Sequence, residues 1–256
     1  MPSAYTHFLV ARQSLNALPP RIQEKISPHL PLYYFGAQGA DFCFFYRPLS
    51  KKNTNFGSYL HRAGGIASFE ELHRAAAQSP AVFAYAAGYI THYAADVILH
   101  PFVYAVSKQS AWKHTRIESA LDFEYGRQYT KLAKADYAQY FRPHLSTLDK
   151  DVLFTLYKEI AKACGFPPLV KPAFYRAIFY FNAYLPLSFG MLTHSNKSLM
   201  LRVFGKEYPQ KTSSLFLSIC TRARMLTREF LHTIDTSSPL PKTLFDKNFL
   251  TGKTIT

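Results

Sequence analysis

Residues 80–105, PAVFAYAAGYITHYAADVILHPFVYA, decide the reading of this chain. The stretch is apolar on every side and far longer than a strand, so it predicts a helix buried inside a helical protein. Within it His92, Asp96 and His100 recur every four residues. Side chains at that spacing lie one above another on a single helix face, so three residues of metal-ligand type share one stripe. An imidazole or carboxylate turned inward among so many apolar neighbours needs a partner to offset its desolvation. A metal ion supplies one; the alternative is burial satisfied by ordinary hydrogen bonds. Pro101 follows His100 directly and predicts a kink or end there, because proline donates no amide hydrogen and disfavours helix at the residue before it.

The next segment, residues 110–129, SAWKHTRIESALDFEYGRQY, continues the step of four from His114 through Glu118 to Asp122. Two such helices packed side by side would turn both ladders toward a common interior. The bland reading of His114 and Glu118 is an exposed pair on a helix surface.

Working outward, apolar residues recur at helical spacing over about residues 6–18, 20–25, 69–77, 80–100, 111–132, 147–164, 172–185, 192–204 and 214–233, and strict alternation is rare. The fold class is therefore all-α, a single-domain multi-helix bundle over residues 1–235. Residues 32–68 hold Gly36, Gly39, Pro48, Gly57, Gly64 and Gly65 and read as largely loop, of a length more often functional than filler. Residues 236–256, polar and proline-containing, read as an extended C-terminal tail.

With 30 Lys and Arg against 16 Asp and Glu, the formal charge of +14 favours anionic partners: phospholipid head groups, an anionic membrane surface, nucleotides or nucleic acid. No protein partner is predicted. Cys43, Cys164 and Cys220 are odd in number and widely separated, which argues against a disulfide framework or a CxxC zinc site and fits a reducing compartment. MPSAYTHFLVARQ has no basic-then-apolar signal pattern, and the best candidate for a membrane span, residues 173–192, is interrupted by Arg176, Asn182 and Pro186. The expected location is cytoplasmic.

Further ligand types stand upstream: YTH at His7, GADF at Asp41 and LH at His61. Taken alone, His7 reads as an exposed terminal residue and His61 as a turn residue. Together with THYAADVILHP (residues 91–101) and HTRIE (residues 114–118), these motifs make the first half of the chain resemble the zinc-dependent phospholipase C family, whose relatives include the P1-type nucleases. Five ordered motifs are far more specific than one HxxxD. No His here is followed by Asp, and HExxH is absent, which argues against HD phosphohydrolases and zincin peptidases.

The resemblance implies the phospholipase C/P1 nuclease fold, a helical bundle holding up to three zinc ions. It assigns one zinc to Asp41, His61, His92 and Asp96, a second to His100, His114 and Glu118, and a third to His7 with Asp96 as a bridge. In secreted members a terminal tryptophan completes the third; this chain begins Met1-Pro2. The separation of Asp41 and His61 is longer than the family pattern, and that of Asp96 and His100 shorter. Asp122 is expected to orient a ligand imidazole, and Phe42, Phe44, Phe45 and Tyr46 to be core or to wall a pocket. The remaining histidines match nothing in the pattern, His73 being read as solvated.

The implied activity is zinc-dependent phosphodiester hydrolysis, phospholipase C-like, by in-line attack of a zinc-bound hydroxide on phosphorus, with Asp41 orienting or deprotonating the water. Two alternatives remain at this point: a P1-type nuclease or nucleotide phosphohydrolase, and a metal-binding relative without turnover.

Overall fold

The computed structural model describes residues 4–49, 55–108, 110–129, 144–190 and 197–255. It is all-α: among the described residues no strand occurs, and the β-type pairing seen there is an isolated bridge between Lys247 and Thr254. The helices are α1 (Ala4–Asn16), α2 (Pro20–Ile26), α3 (Leu30–Gly36), α4 (Phe56–Arg62), α5 (Gly65–Gln78), α6 (Pro80–Ser107), α7 (Ala111–Tyr129), α8 (Thr147–Ala163), α9 (Lys171–Gly190), α10 (Lys197–Phe204) and α11 (Tyr208–Asp235). None of these is long and apolar enough to cross a membrane.

The decisive stretch forms α6, the axis on which α1, α3, α5, α7 and α11 pack. Its start is set by Ser79, whose side chain accepts the Val82 amide, and by Pro80 in the first turn, where the missing N–H removes no helical bond. Burial then holds it: Phe83, Tyr85, Ile90, Tyr93, Leu99 and Val103 are all buried, each worth about 1.5–3 kcal/mol. Gly88 lets α3 approach, since a side-chain carbon there would collide with the Tyr33 carbonyl. Beside this axis, Phe35, Phe42, Tyr157, Phe174 and Phe181 make an aromatic core.

Three expectations are corrected. The helix does not end at Pro101 but runs on to Ser107, closing at Lys108 in the left-handed conformation, whose amide bonds to the Tyr104 carbonyl. Burial of Val103 and Ser107 against neighbouring helices outweighs one lost backbone bond. Residues 32–68 are not largely loop: α4 and a 3-10 turn at Asp41–Phe45 lie within them, packed by Phe42 and Phe56. Nor is the C-terminal segment an extended tail. Leu240, Phe245 and Phe249 are buried, with Phe245 on Phe69 (ring centroids 5.2 Å) and Phe249 on Tyr93 (5.0 Å). Two aromatic side chains four residues apart supply the apolar area that a free tail lacks.

Candidate metal centre

Five elements bring the ligand-type residues together. Near its start α1 carries His7, the 3-10 turn carries Asp41, α4 carries His61, α6 carries His92, Asp96 and His100, and α7 carries His114, Glu118 and Asp122. All nine are buried. The four-residue step works as read, because α6 and α7 pack together and turn both ladders inward.

Asp96 is the hub. Its Oδ1 lies 3.3 Å from His7 Nε2, and its Oδ2 lies 3.1 Å from His92 Nε2, 3.6 Å from His100 Nδ1 and 3.7 Å from His61 Nε2. Asp41 Oδ1 stands 3.1 Å from His61 Nε2 and 4.0 Å from His92 Nε2. At the other end Glu118 Oε1 is 3.2 Å from His100 Nε2 and 2.9 Å from His114 Nε2. Ligand atoms close enough to share an ion fall into three groups: His7, Asp41 and His92; His61, His92 and Asp96; His100, His114 and Glu118. The first two share His92, so the geometry shows one continuous cluster and one separate triad. It joins His7 to Asp41 and His92 as well as to Asp96. Met1 and Pro2, at the end expected to complete a third ion, lie outside the described residues.

Hydrogen bonding says which nitrogen faces inward. His61 Nδ1 donates to the Gly57 carbonyl at 2.8 Å, and His100 Nδ1 donates to the Phe249 carbonyl at 3.1 Å. A carbonyl can only accept, so in the neutral rings both Nε2 atoms present a lone pair to a carboxylate. Two acceptors face each other only across a cation or a captured proton. His61 Nε2, His92 Nε2 and Asp96 Oδ2 are buried without a hydrogen-bond partner. Such orphaned atoms cost about 1–3 kcal/mol each, so their convergence fits a cation better than a hydrogen-bonded core. Imidazole nitrogen with carboxylate oxygen suits zinc.

Electrostatics agree. Burial alone would raise the Asp96 carboxyl, but the His100 and His92 charges and the approach of the His7 and His92 rings hold it well below its ordinary value. Asp41 is also lowered against burial, through His61 and His92, and so is Glu118, through nearby positive charge and bonds from His100 and His114. The His92 ring is lowered, by burial first. Burial opposes protonation of His100 too, yet Asp96 and Glu118 raise it to about 9. The three carboxylates of the centre are thus held in their anionic form by the positive groups around them.

Gly39 makes room for it. Its φ is +57, and a side-chain carbon there would fall on the His92 ring. Asp122 departs from expectation, since it reaches no imidazole nitrogen. Its Oδ1 accepts the Thr6 amide (2.8 Å) and hydroxyl (2.5 Å), and its Oδ2 the Tyr5 amide (3.3 Å). These amides open α1, where a helix lacks internal acceptors, so Asp122 fixes the turn that carries His7.

A cavity of about 550 Å³ opens onto the centre, lined by seven of the ligand-type residues, with His92 behind them. Sequence reasoning missed Ser58, Arg62 and Tyr104 on its wall, and also Leu250 and Thr251. Phe44 walls it, its ring 4.8 Å from His61, whereas Phe42 is core. The residue pair Phe245 and Phe249 was the signal for the C-terminal contribution. His73 is not solvated: it is half-buried, with Nε2 3.0 Å from the Thr233 hydroxyl. A larger cleft of about 680 Å³ between α1–α2 and α11 contains none of the converging groups.

Comparison with known families decides the matter, for the profile described as zinc-dependent phospholipase C matches residues 6–165. The chain belongs to the zinc-dependent phospholipase C family. No curated protein and no solved structure matches it. Within the family region lie every ligand-type residue of the centre, α2–α8 and all of α1 but its first two residues, whereas α9–α11 and the C-terminal segment lie beyond it.

Proposed function

We propose that this member of the family is a zinc-dependent phospholipase C, releasing diacylglycerol and a phosphorylated head group, with His7, Asp41, His61, His92, Asp96, His100, His114 and Glu118 as its zinc ligands. One observation carries the reading: buried lone pairs of imidazole and carboxylate converge, without hydrogen-bond partners, on the floor of an open cavity. Zinc bound there supplies Lewis acidity, lowering the pKa of a water to roughly 7 and neutralising the phosphodiester.

The chain's own residues do the rest. Asp41, held ionised at the cavity wall, accepts the proton of the attacking water and aims its oxygen at phosphorus; the phosphorus–oxygen bond to glycerol breaks, and the leaving alkoxide takes up a proton to depart as diacylglycerol. Arg62 is the sole Lys or Arg among the described residues of the cavity wall and meets a non-reacting phosphate oxygen. Phe44, Tyr104 and Leu250 give the wall apolar area, which suits the glycerol end of a lipid better than a polynucleotide backbone. The basic surface holds the enzyme at an anionic membrane, and its location is cytoplasmic.

The test is incubation of zinc-loaded protein with phosphatidylcholine in mixed micelles, scored by diacylglycerol and by ³¹P resonances. Diacylglycerol release abolished by chelation and restored by zinc supports the reading. Cleavage of single-stranded DNA or nucleotides without diacylglycerol transfers the centre to nuclease chemistry, and stable zinc binding with no hydrolysis makes it structural.

A further inference from the structure

The segment after α11 lies outside the family match and touches the centre directly. Phe249 is its pivot. Its amide donates to the His61 carbonyl at 3.1 Å, and its carbonyl accepts from His100 Nδ1 at 3.1 Å. Its ring is buried 5.2 Å from that of His61. On either side, Lys247 N donates to Tyr93 Oη (3.1 Å), and Asn248 Oδ1 accepts the Leu250 and Thr251 amides at 2.9 and 3.1 Å. Asn248 Nδ2 donates to the Arg62 carbonyl at 3.1 Å. A short turn is thus tied to the end of α4 and to α6, with Leu250 and Thr251 on the cavity wall.

We propose that residues 245–253 are a strap that positions the metal centre, the Phe249 carbonyl fixing the His100 ring so that Nε2 faces the ion shared with His114 and Glu118. The inference rests on the zinc reading above. A ligand imidazole needs a partner on its other nitrogen to set tautomer and ring angle. His61 finds that partner four residues earlier on its own helix, whereas His100 takes it from a carbonyl 149 residues along the chain. Zinc and strap are therefore coupled: whatever a folded strap adds to zinc affinity, bound zinc adds to the closed strap.

Asn248 tests this from outside the centre, since its side chain touches no ligand and does not line the cavity. Asn248→Ala removes the acceptor that shapes the turn; Asn248→Asp keeps that acceptor, exchanges the donor to the Arg62 carbonyl for an oxygen that repels it, and adds a negative charge. Zinc affinities are measured by competition with a chromophoric chelator, and amide hydrogen exchange of residues 247–255 is followed in wild type with and without zinc. The account expects a roughly 10–100-fold weaker zinc in Asn248→Ala, part of it recovered in Asn248→Asp, and slower exchange at Phe249 when zinc is bound. Unchanged affinity in the alanine variant, or strap exchange indifferent to zinc, overturns the strap while leaving the zinc centre in place. Failure of wild type to bind zinc at all overturns both. If Asn248→Ala does not fold, the wild-type exchange experiment decides alone.

Discussion

Asp96 Oδ2 lies 3.1 Å from His92 Nε2, one helical turn away on α6, and neither buried atom is satisfied by a hydrogen bond. An ordinary core would not leave this pair so, because desolvating both groups without a bond costs several times what a single contact returns. The arrangement is economical only around a cation. The same carboxylate also faces His7, His61 and His100, which puts it in the middle of the cluster.

Asp96→Asn should therefore lose metal and turnover together. The amide offers one neutral oxygen where the carboxylate offers two charged ones, and zinc content should fall by at least one ion per chain. Full zinc content with undiminished turnover would refute the bridging role.

Gly39→Ala should damage the centre through His92. The added methyl falls on that ring at a left-handed backbone position, so both overpacking and conformational strain apply, together about 2–4 kcal/mol. Gly165→Ala is the control, also left-handed (φ +67) but with nothing within 4 Å of the new carbon. It should cost about 1–2 kcal/mol and leave zinc unaffected. Thermal unfolding and metal content separate the two.

Proton release should accompany zinc binding. In the metal-free protein His100 has its pKa raised from 6.5 to about 9, so it is charged at pH 7 and must lose that proton to become a ligand. Calorimetry in buffers of different ionisation enthalpy should detect the release, and affinity should climb as pH rises toward 9. For the metal-free fold the sign is opposite. A raised histidine pKa contributes stability that is complete below 6.5 and lost as pH passes through 9. Zinc-free unfolding midpoints that rise across that window would contradict the assignment.

Asp122→Ala should loosen the first turn of α1. Two amides and a hydroxyl lose their acceptor in a buried site, at about 2–4 kcal/mol, and zinc contacts through His7 should weaken with it. Burial raises the Asp122 pKa to about 7 despite the Thr6 and Tyr5 donors. This group therefore favours the fold most below pH 3.8, and that contribution disappears as pH rises through 7. Asp122→Asn should flatten this part of the urea-midpoint profile.

The helical class and the two ladders of ligand-type residues on α6 and α7 were legible because both rest on local spacing, whereas His7, Asp41 and His61 came only from the resemblance to the family. His92, Asp96 and His100 share a face on any straight helix, and so do His114, Glu118 and Asp122. What each side chain bonds to is not local. Asp122 sits on the expected face yet turns to Thr6, because open amides at the start of α1 outbid an imidazole nitrogen. Pro101 stayed helical because Val103 and Ser107 were buried by distant elements, which no residue-by-residue propensity contains. The strap was hidden for the same reason: Phe245 and Phe249 stand in a largely polar segment, and their value depends on Phe69 and Tyr93, 176 and 156 residues earlier.

The most direct measurement is zinc per chain, by plasma mass spectrometry on untagged protein grown with zinc and washed without chelator. The account predicts two or three, one for the His100, His114 and Glu118 triad and the rest for the cluster around Asp96. Fewer than two retained would contradict it, and none would return His92, Asp96 and His100 to the status of buried polar residues without a purpose.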